Sequence, residues 1–309
     1  MQTPQGGPDQ STESTSLSRR RFIWGGLTIV ASAALGSGVW WQITEKRFST
    51  AIGELGHAEL PDGSMAILNT ATKIALRFTR RARLVKVLKG EVLFDVAPDA
   101  QRPFIARAGS FEVLAANISG VPRRHAARIG SLVDYARDIA IPLTSRTAHT
   151  LFATRGSTFT LRRKPDQIVE LVVLEGTTEI RQRARTAGSV GIKEDTVVQA
   201  IAAPGAGARF DVRPVNTLEL EGKVAWLDRR IVFAGNHTLR EAAAEFNRYN
   251  KVHILFEGRI GDRQIRGSFD VDDPNAFVQA IEGLTKAKHR VVSDYLITIQ
   301  DPDAAAAAR

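Results

Sequence analysis

The chain has 309 residues, of which 43% are hydrophobic and 24% charged, with a formal charge of +9 and no cysteine. That length supplies material for one membrane anchor and two domains, and the absence of thiols excludes disulfides, thiolate zinc sites and cysteine nucleophiles. His57, His125, His149, His237, His253 and His289 are scattered without the i, i+4 pair of a helical zinc site, and the chain has neither a glycine-rich nucleotide loop nor a nucleophile elbow. No cofactor, metal or enzymatic activity is expected.

In chain order, residues 1–21 carry Pro4, Gly6, Gly7, Pro8 and many Ser and Thr, too few and too polar for a folded core, and are expected to form a short disordered cytoplasmic tail. An uncharged stretch follows from Phe22 to Thr44. As a helix rising about 1.5 Å per residue it measures about 34 Å, enough for a hydrocarbon core of about 30 Å, and it is predicted to be a single transmembrane helix. Arg19, Arg20 and Arg21 precede it, whereas Glu45, Lys46 and Arg47 follow. The positive-inside rule then keeps the N-terminus in the cytoplasm and exports the rest, with Trp40 and Trp41 at the headgroup level. The competing reading is a cleaved signal peptide, because Ala31-Ser32-Ala33 has the small residues of a cleavage site. Arg19 and Arg20 also fit a twin-arginine export signal.

Residues 49–215 read as an all-β ectodomain, sandwich or barrel-like. Met65 and Ile67, then Ile74, Leu76 and Phe78, then Leu84 and Val87, then Val92, Phe94 and Val96 alternate with polar or small residues. Pro61-Asp62-Gly63-Ser64, Lys89-Gly90-Glu91 and Ala108-Gly109-Ser110 are expected turns between these runs. A second set is predicted at 157–161, 168–174 and 177–180, with Glu175-Gly176 turning a hairpin. Phe94, Phe104 and Phe159 are expected core aromatics.

Between Ala116 and Lys164, nine basic residues stand against Asp134 and Asp138. This excess, centred on 116–155, fits anionic lipid or an acidic protein face better than nucleic acid, since aromatic residues do not interleave the arginines. The competing reading is a solvated loop.

Residues 216–230 are expected to be a linker, and periodicity changes over 231–300. Thr238-Leu239-Arg240-Glu241 forms a capping box, and Leu239, Ala242, Ala243, Phe246 and Tyr249 give one apolar helical face. Strands are predicted at 252–256 and 264–269, and Asp273-Pro274 opens a second helix carrying Phe277 and Ile281. A last hairpin turns about Ser293-Asp294. The β-α-β-β-α-β-β order makes a small α+β module with two helices on one face of a sheet, followed by a disordered tail at 301–309. Trp226, Arg248, Tyr249 and Phe269 are candidate partner contacts, since aromatic and arginine side chains are the usual anchors of protein interfaces. Core packing is the competing role for Trp226 and Tyr249.

An ordered series of motifs carries a resemblance. Leu60-Pro61-Asp62-Gly63-Ser64, Leu68-Asn69, Val87-Leu88-Lys89-Gly90-Glu91-Val92-Leu93-Phe94-Asp95-Val96, Arg102-Pro103-Phe104, Gly156-Ser157-Thr158-Phe159 and Val173-Leu174-Glu175-Gly176 resemble FecR-type transmembrane regulators of extracytoplasmic-function sigma factors. Asn247-Arg248-Tyr249-Asn250 and Asp272-Asp273-Pro274-Asn275-Ala276-Phe277 resemble the family's C-terminal part, similar to the short signalling module of secretins and TonB-dependent receptors. The resemblance implies an inner-membrane protein with a periplasmic C-terminal region. That region would read the signalling domain of a TonB-dependent outer-membrane receptor, and a cytoplasmic part would control a sigma factor. Iron transport is the family's association. Two departures stand out: the forty residues inserted at 116–155, and the short tail, which leaves sigma contact to a disordered peptide or to another protein. The alternative function is a cell-envelope binding or scaffold protein without sigma-factor control.

Replacing Arg19 and Arg20 together by Lys is expected to block export, read as loss of a periplasmic reporter fused after Arg309; unchanged export removes the twin-arginine reading.

Overall fold

The computed structural model describes residues 45–115, 156–165, 167–183, 189–202 and 208–301. The predicted span, Arg19 and Arg20, the 116–155 insertion and the tail from 302 lie outside the described residues. Among those described, no helix is long and apolar enough to cross a membrane.

Among the described residues, thirteen strands form the first part. In chain order they are β1 (Lys46–Ser49), β2 (Gly56–Glu59), β3 (Met65–Leu68), β4 (Lys73–Phe78), β5 (Arg83–Asp95), β6 (Phe104–Ala108) and β7 (Phe111–Ala115). Then come β8 (Thr158–Arg163), β9 (Ile168–Glu175), β10 (Thr177–Gln182), β11 (Ser189–Lys193), β12 (Thr196–Ile201) and β13 (Arg209–Pro214). They make two halves that share one strand. The order β11-β10-β7-β6-β5-β4-β1 makes the first half, and β2-β3-β5-β8-β9-β12-β13 the second.

The shared strand corrects an expectation. Lys89-Gly90-Glu91 is not a turn, because β5 runs unbroken for 13 residues. Its first part pairs with β4 and, in parallel, with β6; from Gly90 onward it pairs with β3 and β8. Gly90, at φ +85°, is the bend at which the strand leaves one half for the other, and a Cβ there would meet Thr72 Oγ1 at 2.2 Å. A second correction falls at Glu175-Gly176. β9 and β10 do not pair: β9 lies between β8 and β12, whereas β10 lies between β7 and β11. Gly176, at φ +78°, lets the chain change halves within one residue. Local turn chemistry cannot distinguish a hairpin from such a crossing.

Alternation places Ile74, Leu76, Val85, Val92, Phe94, Phe104, Phe111, Phe159, Leu161, Leu171 and Val198 in one core drawn from both halves. The Phe94 ring stands 5.5 Å from Phe104 and 5.4 Å from Phe159, centroid to centroid. The predicted turn at Pro61-Asp62-Gly63-Ser64 is present, and its Asp62 holds the buried Arg83 guanidinium at 2.7 Å.

The remainder comprises α1 (Thr217–Val224), a 3-10 turn (Ala225–Asp228), β14 (Arg230–Thr238), α2 (Leu239–Tyr249), β15 (His253–Glu257), β16 (Gln264–Asp270), α3 (Pro274–Thr285), β17 (Lys288–Ser293) and β18 (Leu296–Gln300). Residues 217–228 are therefore helical, in place of the linker expected over 216–230. Asn216 caps α1 by accepting from the Glu219 N–H, and Ala225, Trp226 and Leu227 are buried. The capping box at Thr238 and Glu241 and the Asp273 cap before Pro274 form as expected. Two small sheets replace the single one anticipated, one of β14 with β16 and one ordered β15-β18-β17. One side chain explains part of the split. Asn247 donates to the Ile254 carbonyl at 3.0 Å and accepts from its N–H at 2.7 Å, so it occupies β15 hydrogen bonds that a further strand would have made.

Gly90→Ala is expected to lower unfolding free energy by at least about 2 kcal/mol, from a strained positive φ and the clash with Thr72. The urea midpoint measures it, and a change within about 0.5 kcal/mol, as at an ordinary surface position, refutes the role given to the bend.

Candidate functional site

Strands buried on both faces read as nearly continuous apolar runs, and β9 does so with Val169, Leu171 and Val173 inward and Val172 and Leu174 outward. The outward face of the second half packs on the C-terminal elements. Leu93, Val172, Leu174 and Val197 join Trp226, Phe233, Phe246, Tyr249 and Phe277 in one buried cluster.

A polar row crosses this face. Strand register puts Glu91 opposite Arg162, Arg162 opposite Glu170, and Glu170 opposite Gln199. Opposite charges side by side on neighbouring strands attract, but a covered row also demands partners from the covering element. Helix α2 provides them from residues one turn apart. Glu245 takes the Arg162 guanidinium at 2.9 and 3.4 Å and also pairs with Arg248. Arg248 reaches Glu91 at 2.8 Å. From α1, Lys223 reaches Glu170 at 3.1 Å, while Lys164 approaches the same carboxylate at 2.7 Å.

Loops that pass between the two halves grip the end of α2. Asn69 donates to Glu91 and to the Tyr249 hydroxyl, each at 2.9 Å, and Thr70 donates to the Arg248 carbonyl at 3.0 Å. Gly53 lies so close that a Cβ would stand 3.0 Å from the Tyr249 carbonyl oxygen. Arg229 donates to the Gly53 carbonyl and pairs with Asp272.

These surroundings set the charge states. Burial works against the Glu170 and Glu245 carboxylates, yet the paired cations overcome it and hold both below the usual carboxylate range, Glu245 at about 2. Burial raises the Tyr249 phenol, which stays protonated.

The four residues expected as partner contacts face inward. Trp226 and Tyr249 are each 5% exposed, Arg248 is paired with Glu91 and Glu245, and Phe269 packs among Phe233, Phe246 and Phe277. They are the anchors of a contact within the chain. Part of the basic excess is likewise consumed internally: Arg162 and Lys164 pair with Glu245 and Glu170, and Arg163 donates to the Leu88 carbonyl. Sequence reasoning missed Asn69, Glu91, Glu170 and Glu245. The signal was present, since a lone charge amid apolar neighbours on one strand face marks a buried polar contact.

Outward-facing apolar surface lies elsewhere. β17 is an edge strand with all six residues exposed, and Val291, Val292, Tyr295 and Leu284 are 63%, 47%, 67% and 73% accessible.

Because the folded carboxylates titrate below their unfolded values near 4.3, the unfolded chain binds more protons in acid and the network's stabilisation is lost as pH falls from about 5 towards 2. The urea midpoint should decline over that interval, and Glu245→Gln should start lower and decline less. Arg248→Ala should cost about 3 kcal/mol at neutral pH by leaving Glu91 and Glu245 short of a partner. A flat acid profile in the unmodified chain contradicts the assignment.

Residues 46–120 match the family model described as FecR protein, which covers β1 to β7. A candidate anti-sigma factor from Parabacteroides distasonis, known from crystal structures at 1.65 and 2.50 Å resolution, is similar over a much longer stretch. Each superposes with a TM-score of 0.59 at 18% identity, covering 83% and 84% of this chain and 99% of that one. No curated protein matches the chain. At that identity the likeness is one of fold. Residues 46–120 thus match the FecR model, and the chain shares its fold with that candidate anti-sigma factor.

Proposed function

We propose that the chain is a FecR-like signal transducer of the inner membrane. In this reading it relays the state of a TonB-dependent outer-membrane receptor to an extracytoplasmic-function sigma factor, directly or through another protein. The observation that carries the reading is the FecR domain embedded in a fold that continues to residue 301 in the manner of the Parabacteroides distasonis protein. The uncharged stretch at 22–44 supports a single span with the N-terminus in the cytoplasm and the C-terminal region in the periplasm. The order of elements after residue 230 supports a short signalling module.

Contact with the receptor is assigned to the β17 edge. Trp226, Arg248, Tyr249 and Phe269 serve the contact from within, by fixing the module on the FecR domain. An exposed edge can accept a strand of the receptor's signalling domain through main-chain hydrogen bonds, with Val291 and Tyr295 as side-chain contacts. The chemistry is binding throughout, with no catalytic step.

Deleting the gene should change transcription of a receptor operon under the sigma factor, and unchanged transcription favours the scaffold reading. Val291→Lys with Tyr295→Ser should reduce capture of the receptor's signalling domain about tenfold or more while leaving stability within about 0.5 kcal/mol, as for surface changes. Undiminished capture removes β17 from the interface.

A further inference from the structure

The charged row floors a cleft of about 380 Å³, walled by α1, β14 and α2. That volume lies within the range of about 300–1,000 Å³ typical of small-molecule sites. Hydrogen bonding within it is unbalanced. Glu170 is shared by Lys164 at 2.7 Å, Lys223 at 3.1 Å and the Gln199 amide at 3.3 Å. One carboxylate compensates one ammonium charge, and each ammonium has three N–H donors. The other carboxylates of the cleft are committed: Glu219 to Arg213, Glu241 to the capping box, Glu245 to Arg162 and Arg248, and Glu91 to Arg248 and Asn69. Lys164 and Lys223, each bonded once to Glu170, keep further N–H donors without an acceptor among the described residues.

Orphaned groups line the same space. Trp226 is 5% exposed, and its indole Nε1–H, which can only donate, has no acceptor among the described residues. His237 Nδ1 is also buried without a partner. Burial holds the His237 imidazole below its ordinary pKa, so at neutral pH it is uncharged and free to donate or accept according to tautomer. Leu218, Ile231 and Phe233 add apolar wall, with Leu218 51% exposed.

We infer that this cleft binds a small organic monocarboxylate, its carboxylate held by Lys164, Lys223 and the Trp226 indole N–H and its carbon body set against Leu218, Ile231 and Phe233. One carboxylate oxygen accepts from the spare ammonium donors, and the second satisfies the indole N–H. A ligand so placed touches the second half of the β domain, through Lys164, and α1 at once, so its presence would bear on how firmly the two are joined. The inference rests on the cleft and not on the signalling reading, and either can fail without the other.

The test uses the full-length chain in detergent, labelled with 15N at the tryptophan indoles, with the Trp226 resonance identified by its loss in Trp226→Phe. Titrated benzoate should shift that resonance saturably, with at least tenfold weaker binding in Lys223→Met. Leu218→Glu, at an exposed position that folding tolerates, should also weaken it by placing a carboxylate against the ligand. No saturable shift up to about 10 mM, tenfold above a millimolar Kd, overturns the proposal. So does equal binding by Lys223→Met and Leu218→Glu, and a response to inorganic phosphate but not to benzoate overturns the ligand class.

Discussion

Charges that leave water must find partners, and in this protein that requirement joins the first part of the chain to the last. A carboxylate or guanidinium covered by a helix loses hydration worth several kcal/mol, which only close, well-directed pairing restores. Glu91, Arg162 and Glu170 lie on the outward face of a sheet whose flanking positions are apolar. Burying that face for its hydrophobic gain thus compels α1 and α2 to bring Lys223, Glu245 and Arg248 to matching positions. Apolar contact alone would tolerate a helix sliding along the sheet; a register of alternating charges admits few placements. The network accordingly specifies where the C-terminal elements sit more than how tightly they are held.

Legibility followed the range of the interaction. Alternation along single strands marked Phe94, Phe104 and Phe159 as core, and the capping residues Thr238, Glu241 and Asp273 announced their helices, because those signals reside within a few residues. Gly90 and Gly176 were readable as positive-φ positions but not as crossings between halves, since the partner strands lie far away in sequence. The helix at 217–224 was missed because its apolar content is slight and its Asn216 cap stands in a segment resembling a connector. Arg248 and Tyr249 were expected as partner contacts, and in the fold they are engaged within the chain. Their side chains meet Glu91 and Asn69, more than 150 positions earlier, a pairing that no local pattern announces.

The division of exposed and covered surface is also informative. The aromatic residues of the C-terminal region are largely spent on internal packing, with Phe246 and Phe277 rings 4.3 Å apart, and the surface left beside β17 is backbone with Val291, Val292 and Tyr295. In the proposed reading, recognition through such an edge depends more on strand geometry than on an individual hot spot.

The strand shared by both halves has a mechanical consequence. Since β5 is hydrogen-bonded to β4 and β6 along one stretch and to β3 and β8 along the next, neither half can open without stripping bonds from the other's central member. Independent breathing of the halves is thereby suppressed, and amide exchange along β5 would require cooperative opening of the whole β body. A pull applied through α2 at Asn69 and Glu91 is therefore delivered to a stiff block, which passes displacement on instead of absorbing it.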